Sequence, residues 1–207
     1  MRVVKEPEVR KNEILDAAEN LFILKGYEHA TVNDILVAVN IAKGTFYYYF
    51  KSKEDVLDAL VERRINIGVI KAGEIIASPL PAVQKLLAVI MAQKPHSETE
   101  EDFKKVLHEK DNSKMHEKAI IQSIKRLVPL LAGVVSEGVE TGIFNTSFPV
   151  ESTEILLSAA MILFDDDFFH WTKEEMAVKT AAFLDTMERT LGADKGSFLE
   201  FAKAFDN

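Results

Sequence analysis

Residues 31–57 read TVNDILVAVNIAKGTFYYYFKSKEDVL, and the way this string divides decides what the N-terminal part of the chain is. Thr31 precedes an apolar run with Asp34 three positions on, which resembles a helix-capping box with Asp in place of the usual Glu or Gln. Ile35, Leu36 and Val39 recur at helical spacing. Asn40 follows, a residue type that tolerates the left-handed backbone closing a helix before a turn. The pattern predicts a short helix, a tight turn and a second short helix opening near Lys43.

In the second helix Phe46, Tyr49 and Phe50 fall at i, i+3 and i+4, so they share a face that should be buried. Lys43, Thr45, Tyr47 and Tyr48 then point elsewhere, placing a cation, a hydroxyl and two phenols within two turns. These groups suit phosphates and base edges. Gly44 carries no side chain to hold a phosphate or base away, and the amides of a helix start favour an anion. Lys51 and Lys53 extend the positive rim. Three adjacent tyrosines also suit a small core, a role assigned to Tyr49, while Tyr47 and Tyr48 are assigned to DNA.

This stretch resembles the DNA-binding domain of the tetracycline-repressor (TetR) family. Thr31, Ile35, Ala38, Lys43, Gly44, Tyr47, Phe50, Lys53 and Leu57 stand at positions matching the family pattern. Leu36, Val39, Asn40, Ala42 and Tyr48 depart from it, replacing a usual Ala, an Ala-Gly pair, a Ser and a common His. Ala42 removes a helix cap or phosphate contact, at a cost of about 1 kcal/mol that a well-packed domain tolerates. The resemblance implies an all-α fold, with a three-helix helix-turn-helix domain over 1–53 and a larger helical ligand-binding and dimerisation domain over 54–207. It implies DNA contacts from Thr31, Val32, Lys43, Gly44, Thr45, Tyr47, Tyr48, Lys51 and Lys53.

The rest of the chain reads as further helices. Glu8–Lys25 carries Ile14, Leu15, Ala18, Leu21 and Phe22 at helical spacing, with Gly26 as its stop. Ser52 and Asp55 resemble another capping box, opening a long pattern through Val56, Leu57, Leu60, Val61, Ile65 and Ile67. Pro79, Pro81 and Pro95 punctuate helices expected over 82–93 and 98–110. A long, central helix is expected over 115–142, with Pro129 as a kink site. Two more are expected over 149–166 and 173–191, the first apolar on nearly all sides from Ile155 to Phe164. No β-alternation of useful length is present.

The 207 residues carry a net charge of −8, unevenly spread. Residues 1–53 hold eight Lys or Arg against seven Asp or Glu, and the remainder holds 17 against 26. The small positive excess thus lies where phosphate contact is expected, and binding should weaken with salt. The chain contains no cysteine, which removes disulfides, thiolate metal sites and a cysteine nucleophile. No signal-peptide pattern and no uninterrupted apolar run of about 20 residues is seen, so a soluble, cytoplasmic protein is expected.

A helix apolar on two faces needs two partners, and the resemblance to a family of dimers implies a second copy as one of them. The residues expected at that interface are Leu156, Ser158, Ala159, Ala160, Met176, Thr180, Leu184, Met187 and Leu191; the competing expectation is that both stripes are intrachain core. The resemblance further implies a small-molecule pocket, for which Phe103, Leu107, Leu127, Leu131, Met161, Phe164 and Phe168 are the expected lining of a mostly apolar ligand. Each of them is also an ordinary core residue type. Asp166 and His170 have a helical metal-ligand spacing within the acidic run 165–167, but no second His stands nearby, so no metal and no cofactor is assigned. His108 and His116 flank a polar connection and receive no role.

No Ser/His/Asp set, Gly-rich phosphate loop or metalloprotease pattern points to an enzyme. The sequence is therefore read as a ligand-responsive transcriptional regulator that binds a pseudo-palindromic operator as a homodimer, a repressor released by a small molecule. The alternative is an interaction adaptor whose helix-turn-helix no longer reads DNA.

Overall fold

The computed structural model describes residues 6–94, 97–109, 112–165 and 168–202. Among these residues there are nine α-helices and no strand: α1 (Pro7–Lys25), α2 (Val32–Val39), α3 (Lys43–Tyr49), α4 (Lys53–Ile76), α5 (Ala82–Ala92), α6 (Glu98–Leu107), α7 (Ser113–Glu140), α8 (Pro149–Leu163) and α9 (Lys173–Leu191). A 3-10 turn over Leu199–Phe201 follows. The fold is all-α, as the periodicity predicts. The chain gathers into two compact units, Met1–Asn66 with Pro95–Ala119, and Ile67–Lys94 with Ile120–Asn207, so the division falls within α4 and α7.

The first unit contains the whole stretch expected to read DNA and adds the first part of α4, α6 and the start of α7. Its core collects Ile14, Leu15, Ala18 and Phe22 of α1, Ile35 of α2, Phe46 of α3, Phe50, and Val56, Leu57 and Leu60 of α4. Phe103 and Val106 of α6 complete it. A charged hub ties three of these helices. Glu19 of α1, almost buried, accepts from Arg63 at 2.7 Å and also from Arg64, both on α4. Arg64 in turn pairs with Glu100 of α6 and lies over the Phe103 ring, 5.3 Å from its centroid. Both guanidiniums being held by one carboxylate satisfies a charge that would otherwise be costly to bury.

The second unit packs Leu86 and Val89 of α5, Leu127, Leu131, Val134 and Val135 of α7, Leu156 of α8, and Phe183, Leu184, Met187 and Leu191 of α9 around one core, closed by Phe144, Phe198 and Phe201. Gly138 is required there, because a β-carbon at this position would sit 2.2 Å from the Phe144 ring. Lys85 of α5 is buried and donates to both carboxylate oxygens of Glu137 on α7, at 3.0 and 2.7 Å. α9 opens on a complete capping box, with Thr172 and Glu175 bonded reciprocally, and closes on Gly192 at φ 64°.

α7 contains Pro129, and over one 18-residue window its mean hydropathy reaches 1.4, enough by length and composition for a membrane span. Lys125 and Arg126 interrupt this helix, so the sequence holds no uninterrupted apolar run of about 20 residues. The apolar side chains of α7 serve a core, since Leu131, Val134 and Val135 are at most 5% exposed.

Candidate functional site

The turn between α2 and α3 is built from the residues that the sequence singled out. At the start of α2 the Asp34 N–H donates to Thr31 Oγ1 (3.1 Å), while the Thr31 N–H and hydroxyl both donate to Asp34 Oδ2 (2.9 and 2.8 Å). Lys25 donates to the other carboxylate oxygen at 2.8 Å. Hydrogen bonding from Lys25, then from the Thr31 side chain and backbone, holds the Asp34 carboxyl down at about 2. Asn40 ends α2 in the left-handed region (φ 54°, ψ 54°), and its N–H bonds back to Leu36 and Val37. Among the described residues it is the only non-glycine with positive φ, and a residue without Asn's tolerance would strain the turn.

α3 begins at Lys43 after an extended Ala42 whose side chain caps nothing. Phe46 and Phe50 are buried beneath it and Tyr49 is packed partly against the same core. With that face fixed inward, Tyr47 and Tyr48 remain 48% and 77% exposed, and Lys43 and Gly44 are exposed beside them. The Tyr47 ring stands edge-on to Phe46 and the Tyr48 ring edge-on to Tyr49, so each phenol is propped from below by the residue beside it. Lys43 Nζ lies 5.9 Å from the Tyr47 ring centroid. A β-carbon placed on Gly44 would meet nothing within 4 Å, so the space over the helix start is open.

Two of the expected contact residues are turned to other work. Lys53 donates to the backbone carbonyls of Tyr27 and Glu28 (2.7 and 3.3 Å) and sits 4.1 Å over the Tyr27 ring, tying α4 to the end of α1. Burial, reinforced by Glu54, pushes the Tyr27 phenol up, so it is neutral beneath the lysine. Val32 packs partly into the core of the unit. Thr31, Lys43, Gly44, Thr45, Tyr47, Tyr48 and Lys51 remain at least partly accessible.

The second unit contains a cavity of about 330 Å³. Successive turns of α7 supply Ser123, Leu127, Leu131 and Val135; α5 supplies Leu86 and Ile90, and α8 and α9 supply Leu156, Met161, Phe183 and Met187 among others. Of the residues expected to line a pocket, Leu127, Leu131 and Met161 do. The other four are placed differently: Phe103 and Leu107 belong to the core of the first unit, Phe164 is stacked edge-on against Phe183 without lining the cavity, and Phe168 is 46% exposed. Leu86, Ile90, Val135 and Phe183 were missed because an apolar residue facing a void has the same periodicity as one facing another side chain.

The residues expected at a dimer interface also divide. Leu156, Thr180, Leu184, Met187 and Leu191 are buried within the chain. Ala160, Leu156, Met187 and Leu191 line the cavity, and Ser158 and Met176 are half-buried. Of that set only Ala159 is exposed. Its stripe on α8 continues through Ile155 (65% exposed) and Ile162, and α9 exposes Val178 (69%), Ala181 and Ala182. The correction is one of helical phase: the outward apolar stripe runs through Ile155 rather than Leu156. Asp166 lies outside the described residues, so the Asp166–His170 pair has no structural account. His108 and His116 are stacked 4.4 Å apart in the first unit.

Two short helices joined by a capped turn, with the second helix offering an exposed cation and phenols over a buried aromatic face, define a helix-turn-helix DNA-reading protein with a helical companion unit. Residues 14–60 match the family described as bacterial regulatory proteins, tetR family, and residues 96–186 match a tetracyclin repressor-like C-terminal domain. The chain is 30% identical over 147 residues to the HTH-type transcriptional repressor KstR2 of Rhodococcus jostii, covering 69% of this chain and 71% of that one. It is 24% identical over 189 residues to the fatty acid metabolism regulator protein of Bacillus subtilis, covering 89% and 94%. The structure of the fatty acid degradation regulator FadR from Bacillus halodurans superposes with a TM-score of 0.60 at 22% identity, covering 93% and 99%. The chain belongs to the TetR family and is a DNA-binding transcriptional regulator.

Proposed function

We propose that the protein is a repressor that binds a pseudo-palindromic operator as a homodimer in the cytoplasm and leaves it when a largely apolar small molecule fills the cavity of the second unit. The observation that carries this reading is the exposed α3 face, with Lys43, Tyr47 and Tyr48 held over buried Phe46 and Phe50. DNA reading is assigned to 1–53 through Thr31, Lys43, Gly44, Thr45, Tyr47, Tyr48 and Lys51. Effector binding and dimerisation are assigned to 54–207. A second copy is assigned to the Ile155, Ala159 and Ile162 stripe of α8 with Val178 of α9.

The relatives support the apolar effector and the repressor sense by name: two are regulators of fatty acid metabolism or degradation and one is a repressor. Dimerisation has a mechanical use, because two recognition helices must enter successive major grooves roughly 34 Å apart. A ligand that favours another spacing then lowers affinity through its differential binding to the two states. Selection from random-sequence DNA by the purified full chain tests the reading. Enrichment of a two-fold symmetric site with half-sites about one helical turn apart is expected, and enrichment of nothing would overturn it.

A further inference from the structure

We infer that the cavity takes an uncharged, mostly apolar molecule whose one hydrogen-bonding oxygen is met by the hydroxyl of Ser123. The inference rests on the reading of this cavity as the effector site and names the chemistry of its occupant.

The wall that the described residues make around the 330 Å³ contains no charged side chain. Three lining residues are polar, Gln93, Ser123 and Thr153, and they are not equivalent. Thr153 has its proton committed, donating to the Pro149 carbonyl at 2.7 Å. Gln93 is exposed at the end of α5, with its amide nitrogen 3.5 and 3.4 Å from the carbonyls of Gly68 and Val89. Ser123 is half-buried on α7, one turn before Leu127, and its hydroxyl has no hydrogen-bond partner among the described residues. A lone hydroxyl in an otherwise apolar wall is the arrangement that orients a ligand carrying one polar group.

The same wall discriminates by charge. An ionised carboxylate or ammonium placed against it would gain no counter-ion, whereas a neutral alcohol, ketone, ester or lactone oxygen is compensated by Ser123. The occupant is therefore a neutral, chain-like or ring-like apolar molecule. A free fatty acid matches the apolar wall but leaves its charge unpaired there.

Calorimetric titration of the full chain with decan-1-ol and with sodium decanoate, matched in chain length, tests this near neutral pH, alongside Ser123→Ala and Ser123→Thr. The alcohol should bind at least about tenfold more tightly than the ionised acid. Ser123→Ala should weaken the alcohol about five- to tenfold, with Ser123→Thr restoring it and the thermal midpoints of both variants unchanged. Equal or tighter binding of decanoate, an alcohol affinity indifferent to Ser123→Ala, or no binding of either probe would overturn the inference. Operator binding measured in the same samples separates the two readings. Alcohol bound with Ser123 dependence but with operator retained supports the ligand class and overturns the effector role; operator released by the acid alone does the reverse.

Discussion

α3 and α8 are both short helices rich in apolar side chains, and they differ in what their outward faces are made of. On α3 the inward residues are Phe46 and Phe50 and the outward ones are Lys43, Tyr47 and Tyr48, so chemistry sorts the two faces. On α8 the inward residue Leu156 and the outward residue Ile155 are both aliphatic neighbours, 7% and 65% exposed. A site made of polar groups on an apolar base announces itself in sequence. A site made of apolar groups against an apolar core does not.

The largest effect that sharpens this contrast comes from placing the same charge on each side of α8. Leu156→Glu buries an unpaired carboxylate in the core and should cost about 4 kcal/mol or more, so that the variant is unfolded or aggregated. Ile155→Glu should leave the fold intact while shifting the chain from dimer to monomer in sedimentation equilibrium, with a dimer constant weakened roughly 100-fold, equivalent to about 2.7 kcal/mol. A folded dimer of Ile155→Glu would move the interface away from this stripe.

Gly44→Ala makes the corresponding test on α3. The open space over Gly44 means that the free protein should accept the methyl and gain about 0.5–1 kcal/mol from the helical preference of Ala over Gly. Operator affinity should fall at least about tenfold if a phosphate or base approaches that backbone. Thermal midpoint and binding isotherm together give opposite signs, which a purely structural glycine would not. Ala42→Ser should stabilise by about 0.5–1 kcal/mol, because it supplies the cap that α3 lacks, measurable by denaturant titration.

The smallest effect concerns the α2 cap. The Asp34 carboxyl is held down at about 2, below its ordinary range, by Lys25 and Thr31. Its contribution is therefore complete at neutral pH, starts to fade below about 4 and is lost as pH falls through about 2. Asp34→Asn should be less stable than the parent at pH 7, and the gap between their melting curves should close toward pH 2.

Much of the fold was legible in the sequence because strong local signals coincide with element ends. The Thr31–Asp34 box, the left-handed Asn40, the Gly26 stop and the Lys173–Leu191 span stand where periodicity and capping place them. The bond from Lys53 to Tyr27, 26 residues earlier, left no local signal, because its ordinary surface chemistry conceals it. Phe103 was placed in the pocket because composition cannot tell which of two cores a residue joins, and it joins that of α1, α3 and α4. The Glu19, Arg63 and Arg64 hub left no local signal, since its partners are 44 and 45 positions apart.

The exposed face of α3 is the surface assigned to reading DNA. That assignment is tested most directly by measuring binding of the selected operator to Lys43→Ala/Tyr47→Ala beside the parent chain, at two salt concentrations, with thermal midpoint and dimer state recorded on the same preparations. The double variant should lose roughly 100-fold or more in affinity, at about 1–3 kcal/mol per contact, show a shallower salt dependence from the lost Lys43 contact, and keep the midpoint and dimer of the parent. Parental affinity in a folded, dimeric double variant would contradict the assignment.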